Sequence, residues 1–290
     1  MFTEFDFRIC HLQRLRWIGR KKQLQWLKQD PQLKNLYQLT PLDVQAIFSL
    51  SPERANEVYS DLQSTFIKKS IENDLNQYHV ISIQNTKYPE LLKSIPDPPL
   101  LLYALGDISY LNAEPKISVI GTRNYSSEAF SKVRYIVRPL IEQNWVIVSG
   151  MARGIDTMAH QTAIELRGKT IAVLGFGFRH IYPKENRTLM KNLAQQQLLL
   201  SEYPPDVPPR KWHFPERNRI ISGLSFGCLI IEAKEKSGTF ITAEQALEQG
   251  RDVFVVPGSI FLEQTKGCHQ LLKEGCHSFK NNGFTVSNIH

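Results

Sequence analysis

The stretch Lys116-Ile-Ser-Val-Ile-Gly-Thr-Arg-Asn-Tyr-Ser-Ser-Glu128 decides how this chain is interpreted. Its β-branched run is typical of a parallel strand that is covered on both faces. Gly121 permits a tight turn, and Ser126 or Ser127 is expected to cap the helix that follows. Such a turn directs backbone N–H groups towards one point, which suits an anion. Because Arg123 lies inside the turn, we expect a phosphate held from outside and not a buried dinucleotide.

The alternation of strand, glycine loop and helix continues along the chain from this stretch. The predicted strands are 117–120, 145–149, 170–174, 197–201, 228–232 and 252–256. Helices are predicted between most of them, for example at 128–143, 155–166 and 239–249. This alternation predicts an α/β fold with a doubly wound, mostly parallel, Rossmann-like sheet. Loops that leave the carboxyl ends of such strands share one edge, where ligands bind.

The residues before this sheet divide into two parts. Residues 1–75 are predicted to form a small helical module, and residues 76–290 a second domain whose core begins at residue 116. Thr40-Pro41 and Ser51-Pro52 each place a capping hydroxyl before a proline at the first helical position. The segments 79–83 and 100–104 are predicted to be extra strands that lie beside the main sheet.

Composition and charge narrow the class of protein. The chain has 290 residues, 42% of them hydrophobic, and a net charge of +7. Residues 116–290 hold 22 Lys and Arg against 15 Asp and Glu, and such a surplus favours nucleic acid or another polyanion as partner. The basic residues near Arg14 and Arg16 form either a phosphate contact or, as we favour, a solvated helix face. Four cysteines, an N-terminus without a signal-peptide pattern and no long apolar run predict a soluble cytoplasmic protein without membrane contact.

Five loops at the predicted sheet edge combine small or capping residues with cations and aromatic residues. Cations that follow a phosphate chain, with aromatic rings on which bases stack, are typical of single-stranded nucleic acid binding. Each loop alone is a weak signal, and the aromatic residues fit local packing as well. The candidate DNA contacts are Gly121, Arg123, Ser126, Arg153, Arg179, Lys184, Asn186, Arg187, Arg217, Asn218, Arg219, Ser237 and Thr239. The interleaved aromatic residues are Tyr125, Phe176, Phe178, Tyr182, Trp212 and Phe214.

The common enzyme and cofactor patterns do not match. No Gly-x-Gly-x-x-Gly follows the first strand of the sheet, and no Gly-Lys-Ser/Thr ending marks an ATP-binding loop. The pairs Cys268-His269 and Cys276-His277 fit no common zinc spacing, so no metal or other cofactor is expected. Asp156 is more easily explained as a first-turn helix residue than as a base, and its neighbour His160 as a satisfied histidine.

The loops, in their order along the chain, resemble those of the DprA (Smf) family of DNA-processing proteins. The resemblance covers about two thirds of the chain. It rests on Tyr88-Pro89, Asp97-Pro-Pro99, Val119-Ile-Gly-Thr-Arg123, Ser149-Gly-Met-Ala-Arg-Gly-Ile-Asp156, Tyr182-Pro-Lys184-Glu-Asn186, Phe214-Pro-Glu-Arg-Asn-Arg-Ile-Ile-Ser222, Ser237-Gly-Thr239, Val256-Pro-Gly258 and Gly267-Cys-His269.

The resemblance implies a protein that is not an enzyme. Members of the family bind incoming single-stranded DNA during natural transformation, protect it and help to load the RecA recombinase. Their Rossmann-like domain is extended by extra strands, and many carry a sterile-alpha-motif-like or helix-hairpin-helix module before it. The family's DNA-contacting arginine and lysine match Arg123 and Lys184. Members form homodimers, which points here to Leu247 and to the segment from His269 to Leu272. The winged-helix domain that some members carry at the C-terminus is not found in this sequence.

Two other classes of function remain as alternatives. A related architecture with a Gly-Thr turn occurs in nucleotide-processing phosphoribohydrolases, and Glu244 in the helix after Ser237-Gly-Thr239 is a weak similarity to them. An interaction scaffold with incidental charge is the other alternative.

Overall fold

The computed structural model describes residues 2–279, and they fall into two compact units. The smaller unit comprises residues up to 86 together with 99–103. The larger unit comprises residues 87–98 and the chain from 104 onwards. The predicted boundary at residue 76 stays a prediction.

Within the described residues, the smaller unit consists of five helices followed by a short strand. Its elements are α1 (Glu4–Arg14), α2 (Arg20–Gln29), α3 (Pro41–Phe48), α4 (Pro52–Gln63), α5 (Thr65–Gln77) and β1 (His79–Ser82). Thr40 and Ser51 cap α3 and α4, each followed by proline in the first turn, as the sequence predicts. Leu12, Leu36 and Leu62 are fully buried and form part of the apolar core of this unit.

The basic residues at the end of α1 are occupied by carboxylates of the same unit. Arg14 forms an ion pair with Asp74, which is 1% exposed. Arg16 lies 2.8 Å from Asp61 and 3.0 Å from Glu57. The favoured prediction of a solvated helix face is therefore wrong for Arg14, whose side chain is 11% exposed, whereas Arg16 is exposed as predicted. The alternative of a phosphate contact stays a prediction.

The larger unit alternates strands and helices. After α6 (Glu90–Lys93) and β2 (Leu101–Gly106), which begins in the smaller unit, come β3 (Lys116–Ile120), α7 (Ala129–Glu142), β4 (Val146–Ser149), α8 (Ile155–Glu165), β5 (Thr170–Leu174), α9 (Arg187–Gln196), β6 (Leu198–Ser201), α10 (His213–Gly223), β7 (Gly227–Ile230), α11 (Gly238–Glu248), β8 (Asp252–Val255), α12 (Glu263–Lys273) and β9 (His277–Ser278). Short 3-10 helices occupy Ile108–Leu111 and Lys184–Asn186.

The strands from β3 onwards form one parallel sheet in the order β6-β5-β4-β3-β7-β8-β9. The last three residues of β2 belong to the larger unit, where β2 is the neighbour of β6. The prediction of an extended, Rossmann-like parallel sheet is therefore confirmed. All six predicted strands are present, and no end differs from the prediction by more than two residues.

Helices cover both faces of this sheet. Ile117 and Val119 of β3 belong to an apolar cluster with residues of α7 and α8. Ser118, which points to the opposite face because side chains alternate along a strand, donates its hydroxyl to the Ile221 carbonyl of α10 at 2.8 Å. The sheet is thus doubly wound, and its strands are buried throughout because each face packs against helices.

The position of β3 in the sheet creates a crevice. From β3 the chain adds β4, β5 and β6 on one side, and it then crosses back to place β7 on the other side. The loops after β3 and β7 therefore lead in opposite directions, which is the arrangement in which α/β proteins bind ligands at the carboxyl edge.

No helix in residues 2–279 has both the length and the apolar character needed to cross a membrane.

Candidate nucleic-acid interface

The turn after β3 is held by the end of β7. Thr122 donates its N–H to the Glu232 carbonyl oxygen at 2.8 Å. A Cβ atom on Gly121 would lie 2.8 Å from that same oxygen and 2.7 Å from a side-chain carbon of Ile155. Only glycine fits this close approach, so the turn runs along the neighbouring strand and exposes the next residue, Arg123, to solvent.

The carboxylate of Glu232 holds the second half of the turn. Ser126 donates its N–H to Glu232 at 2.9 Å and its hydroxyl at 2.5 Å, and Lys132 of α7 lies 3.0 Å away. The prediction that Ser126 or Ser127 caps α7 is therefore wrong, since the cap residue is Glu128 and no side chain caps the helix. Ser126 bonds to a buried long-range carboxylate instead of the local backbone. Its predicted DNA contact stays a prediction, while its observed bonds hold the turn.

Arg217 and Asp156 support the loop after β4. Arg217 is 3% exposed and donates to the carbonyl oxygens of Gly150, at 2.5 Å, and Val173. Asp156 accepts the N–H of Gly150 at 3.2 Å. Burial raises the pKa of Asp156 and lowers that of Arg217 to about 10, which leaves Arg217 charged at neutral pH. The predicted first-turn position of Asp156 in α8 is confirmed.

Two further candidate DNA contacts are buried among protein partners. Asn186 donates its side-chain amide to the Met151 carbonyl at 3.0 Å and to the Thr157 hydroxyl at 2.8 Å. Arg219 lies 2.6 Å from Glu202 and 3.2 Å from Asp97. Both side chains therefore hold neighbouring loops in place, and their role in DNA contact stays a prediction.

Other predicted cations are open to solvent at the same edge. Arg123, Arg153, Lys184 and Arg187 are exposed, and within residues 2–279 none of them forms an ion pair with a carboxylate. Arg179 is exposed as well. The guanidinium carbon of Arg123 lies 5.9 Å from the centre of the Phe214 ring, which aligns the side chain with an aromatic face.

The aromatic residues separate into two groups. Phe176 and Phe178 are buried and belong to the core. Tyr125, Tyr182 and Trp212 are between 43% and 57% exposed. Tyr182 and Phe214 lie with ring centres 5.2 Å apart at 39°, and the Arg210 guanidinium lies 5.2 Å from the Trp212 ring. The exposed rings are therefore the ones available to a base.

A cavity of about 610 Å³ opens where the loops after β3 and β7 diverge. It brings together Gly121, Arg123, Arg217, Asn218, Ser237 and Thr239 of the predicted contacts. Asn124, Tyr182, Lys211, Phe214, Lys234 and Thr242 also line it and were not among them. Lys211 and Lys234 lie in two of the five loops identified from the sequence. Their positive charge and their position in these loops could have identified them as candidates. Arg153, Arg179, Lys184 and Arg187 are not lining residues of this cavity.

Neither the cysteine–histidine pairs nor Glu244 contributes to the cavity. Cys268 is buried, and His269 forms a hydrogen bond with the Gly258 carbonyl at 3.0 Å. Across the described part of the chain, no three His, Cys, Asp or Glu residues come together as a metal site. Glu244 is exposed and is not a lining residue, so the similarity to phosphoribohydrolases has no geometric support there.

Comparison with known proteins identifies the family of this chain. The sequence model of the family described as DNA recombination-mediator protein A matches residues 79–290. The chain belongs to this family. The sequence-based resemblance to DprA (Smf) proteins is confirmed by it. The smaller unit lies almost wholly outside the matched range.

Several curated members of the family are similar in sequence. DNA processing protein DprA of Bacillus subtilis is 49% identical over 197 residues, 68% of this chain and 66% of the relative. DprA of Streptococcus pneumoniae is 44% identical over 205 residues, 71% of this chain and 72% of the relative. Protein Smf of Escherichia coli is 41% identical over 217 residues, and the chain spans 58% of its length.

Two solved structures of the family are similar in fold. The X-ray structure of DNA processing protein A from S. pneumoniae has a TM-score of 0.84 at 37% identity and covers 96% of this chain and 95% of its own. The structure of DNA processing protein A from Helicobacter pylori has a TM-score of 0.64 at 31% identity. The match covers 73% of this chain and 93% of the H. pylori chain. The latter structure concerns the single-stranded DNA binding mode of the H. pylori protein.

Proposed function

We propose that this protein binds single-stranded DNA along the carboxyl edge of its sheet and performs no chemistry on it. The supporting observation is the set of exposed cations without carboxylate partners among residues 2–279, namely Arg123, Arg153, Lys184 and Arg187. Cations at the surface that are not neutralised by the protein are available to phosphates. The single-stranded DNA binding of the H. pylori relative supports the same ligand.

In this proposal, different residues bind the phosphates and the bases of the DNA. The exposed cations contact phosphates, and Tyr182, Trp212 or Phe214 offers a ring on which a base stacks, worth roughly 1–3 kcal/mol per base. Other residues act indirectly, because their bonds within the protein hold the loops that carry the exposed cations; they are Arg217, Arg219, Asn186 and Ser126.

Membership of the family supports a wider role. We propose that the bound strand is protected during natural transformation, that the protein helps to load the RecA recombinase onto it, and that it acts as a homodimer in the cytoplasm, where RecA works. The predicted dimer contacts are Leu247, which is 54% exposed, His269 and Leu272. A direct test of the RecA step is filament formation on an oligonucleotide with and without this protein.

Fluorescence anisotropy with a labelled oligonucleotide tests strand binding. The parent, Arg123→Ala and Lys184→Ala are compared at two salt concentrations. We expect both variants to bind more weakly than the parent, and each to flatten the plot of log affinity against log salt by about 0.7, the value for one lost contact on a single strand. Circular dichroism checks that both remain folded.

Arg138→Ala is the matched control for this experiment. It removes the same charge from an exposed position of α7, near the end of that helix remote from the carboxyl edge. It should bind as the parent does. Equal binding by the parent, Arg123→Ala and Lys184→Ala would show that the interface is misplaced, and a strong preference for duplex over single strand would refute the proposed ligand.

A further inference from the structure

One wall of the cavity is the N-terminus of α11, where two hydroxyls lack partners in the described part of the chain. Ser237 precedes the helix, and its hydroxyl oxygen is buried without a hydrogen bond to any of the described residues. Thr239, the second residue of the helix, is only 7% exposed, and its hydroxyl has no hydrogen-bond partner in residues 2–279. A buried hydroxyl is normally satisfied, so that of Ser237 points to a ligand, and the Thr239 hydroxyl beside it remains accessible from the cavity.

The charges around this helix end suit an anion. The first N–H groups of a helix have no intrahelical acceptor and attract negative charge. A Cβ atom on Gly238 would meet nothing within 4 Å, so the approach to these N–H groups is open. Arg123 and Lys211 line the same cavity, as does Lys234, which pairs with Glu263 at 3.2 Å. The carboxylate that lines it, Asp156, is bonded to backbone N–H groups of the loop after β4.

The remainder of the cavity suits a flat ring. Phe214 and Tyr182 both line it, and their rings lie 5.2 Å apart. The volume of about 610 Å³ is within the range that binds one small molecule. An anion site and an aromatic surface in one cavity match the two ends of a nucleotide.

We infer that this cavity also binds a free nucleoside monophosphate, with its phosphate at Ser237 and Thr239 and its base against Phe214. A terminal phosphate carries a charge of about −1.5 to −2 at neutral pH, whereas each phosphate inside a strand carries about −1. On electrostatic grounds the cavity therefore favours the free nucleotide over a phosphodiester within a strand. This ligand is distinct from the proposed strand, and the two compete for the shared residues Arg123 and Phe214.

Isothermal titration calorimetry with adenosine monophosphate at low salt tests the inference. We expect saturable binding at one site per chain. Thr239→Val removes one hydroxyl while keeping the size of the side chain, and it should weaken binding about tenfold, the effect of one hydrogen bond to a charged group. Thr188→Val is the matched control, because Thr188 is likewise the second residue of its helix, α9, but is exposed outside the cavity. It should bind adenosine monophosphate as the parent does.

Two further titrations separate the parts of the inference. Inorganic phosphate and adenosine should each bind more weakly than adenosine monophosphate, and the nucleotide should displace a labelled oligonucleotide from the parent. Binding of the oligonucleotide without any binding of the nucleotide would overturn the inference and leave the proposed function intact. Equal affinity of the parent and Thr239→Val would overturn the placement of the phosphate, and inorganic phosphate binding as tightly as the nucleotide would overturn the contact with the base.

Discussion

The carboxylate of Glu232 binds the N–H and the hydroxyl of Ser126 at 2.9 and 2.5 Å, across 106 positions of sequence. Glu232 is fully buried, and its own carbonyl oxygen accepts the N–H of Thr122. One residue just beyond β7 thus holds both halves of the turn that carries Arg123. The orientation of this arginine depends on a residue that contacts no ligand in the proposed function.

Glu232→Gln should therefore loosen the turn. The substitution removes the negative charge that stabilises two hydrogen bonds and leaves Lys132, which is 3.0 Å away, with a weaker partner. We expect the free energy of unfolding to fall by about 2 kcal/mol, in the range for hydrogen bonds to a charged group. Binding of a single-stranded oligonucleotide should weaken as well. Urea denaturation and anisotropy measure the two effects.

Glu128→Gln is the control for this substitution. Glu128 also pairs with Lys132, at 3.3 Å, but its side chain is 66% exposed. Exposed ion pairs contribute about 0–1 kcal/mol, so this variant should resemble the parent in stability and binding. Equal losses in the two variants would contradict the special role of Glu232.

Arg217→Met should destabilise the larger unit strongly. It removes the donor to the Gly150 and Val173 carbonyls and leaves Asp156 buried beside the cavity without its nearby positive charge. Loss of a charged donor from buried carbonyl oxygens costs roughly 1.5–3 kcal/mol for each hydrogen bond. Thermal and urea denaturation measure the loss.

The double variant Asp156→Asn with Arg217→Met tests this explanation. If the uncompensated carboxylate causes most of the loss, the double variant should lose less stability than the sum of the two single variants. Additive losses would show that the two charges do not support each other.

His160 should make folding sensitive to acid. Its Nδ1 donates to Thr170 Oγ1, because that hydroxyl already donates to the Ile147 carbonyl. Its buried Nε2 has no partner within residues 2–279, so the expectation of a satisfied histidine is wrong for this nitrogen. Burial lowers the pKa of His160 from 6.5 to about 3. Since the folded pKa lies below the unfolded one, stability is fully present above about pH 6.5 and is lost as the pH falls towards 3.

His160→Asn removes this titration. Comparison with the parent therefore separates the contribution of His160 to acid sensitivity from that of the carboxylates. Between these pH values the parent should lose up to about 1.4 kcal/mol per pH unit more than the variant. Urea denaturation at several pH values measures the difference. Parallel pH profiles of the two proteins would show that His160 takes up its proton in the folded state.

Leu247→Glu should prevent self-association. Leu247 is 54% exposed on α11, and a large exposed apolar side chain commonly marks a contact surface. Placing a charge there should convert the proposed homodimer to monomer in sedimentation velocity. Phe66→Glu, at an 82% exposed apolar position of the smaller unit, is the control and should leave the dimer intact. A dimer that persists in Leu247→Glu would contradict the predicted interface.

Much of the fold could be predicted from local sequence patterns. The six strands and the caps at Thr40 and Ser51 follow from apolar runs, prolines and hydroxyls whose effect extends over a few residues. The cap of α7 could not be predicted in this way, because the N–H and the hydroxyl of Ser126 both donate to Glu232, far away in sequence, and this fixes Ser126 in the turn before the helix. A local rule fails where a distant buried charge sets the position of the residue.

Sequence by itself determined that a basic, glycine-rich edge would form at the carboxyl ends of parallel strands. Only the tertiary structure decided which of its cations are free. Arg217 and Arg219 come from one short stretch and share the chemistry of Arg123, yet both are buried. Arg217 meets the carbonyls of Gly150 and Val173, and Arg219 meets Glu202 and Asp97. The reason is that burial and pairing depend on the groups that the fold brings together across the chain, whereas residue type and spacing describe only the chain itself.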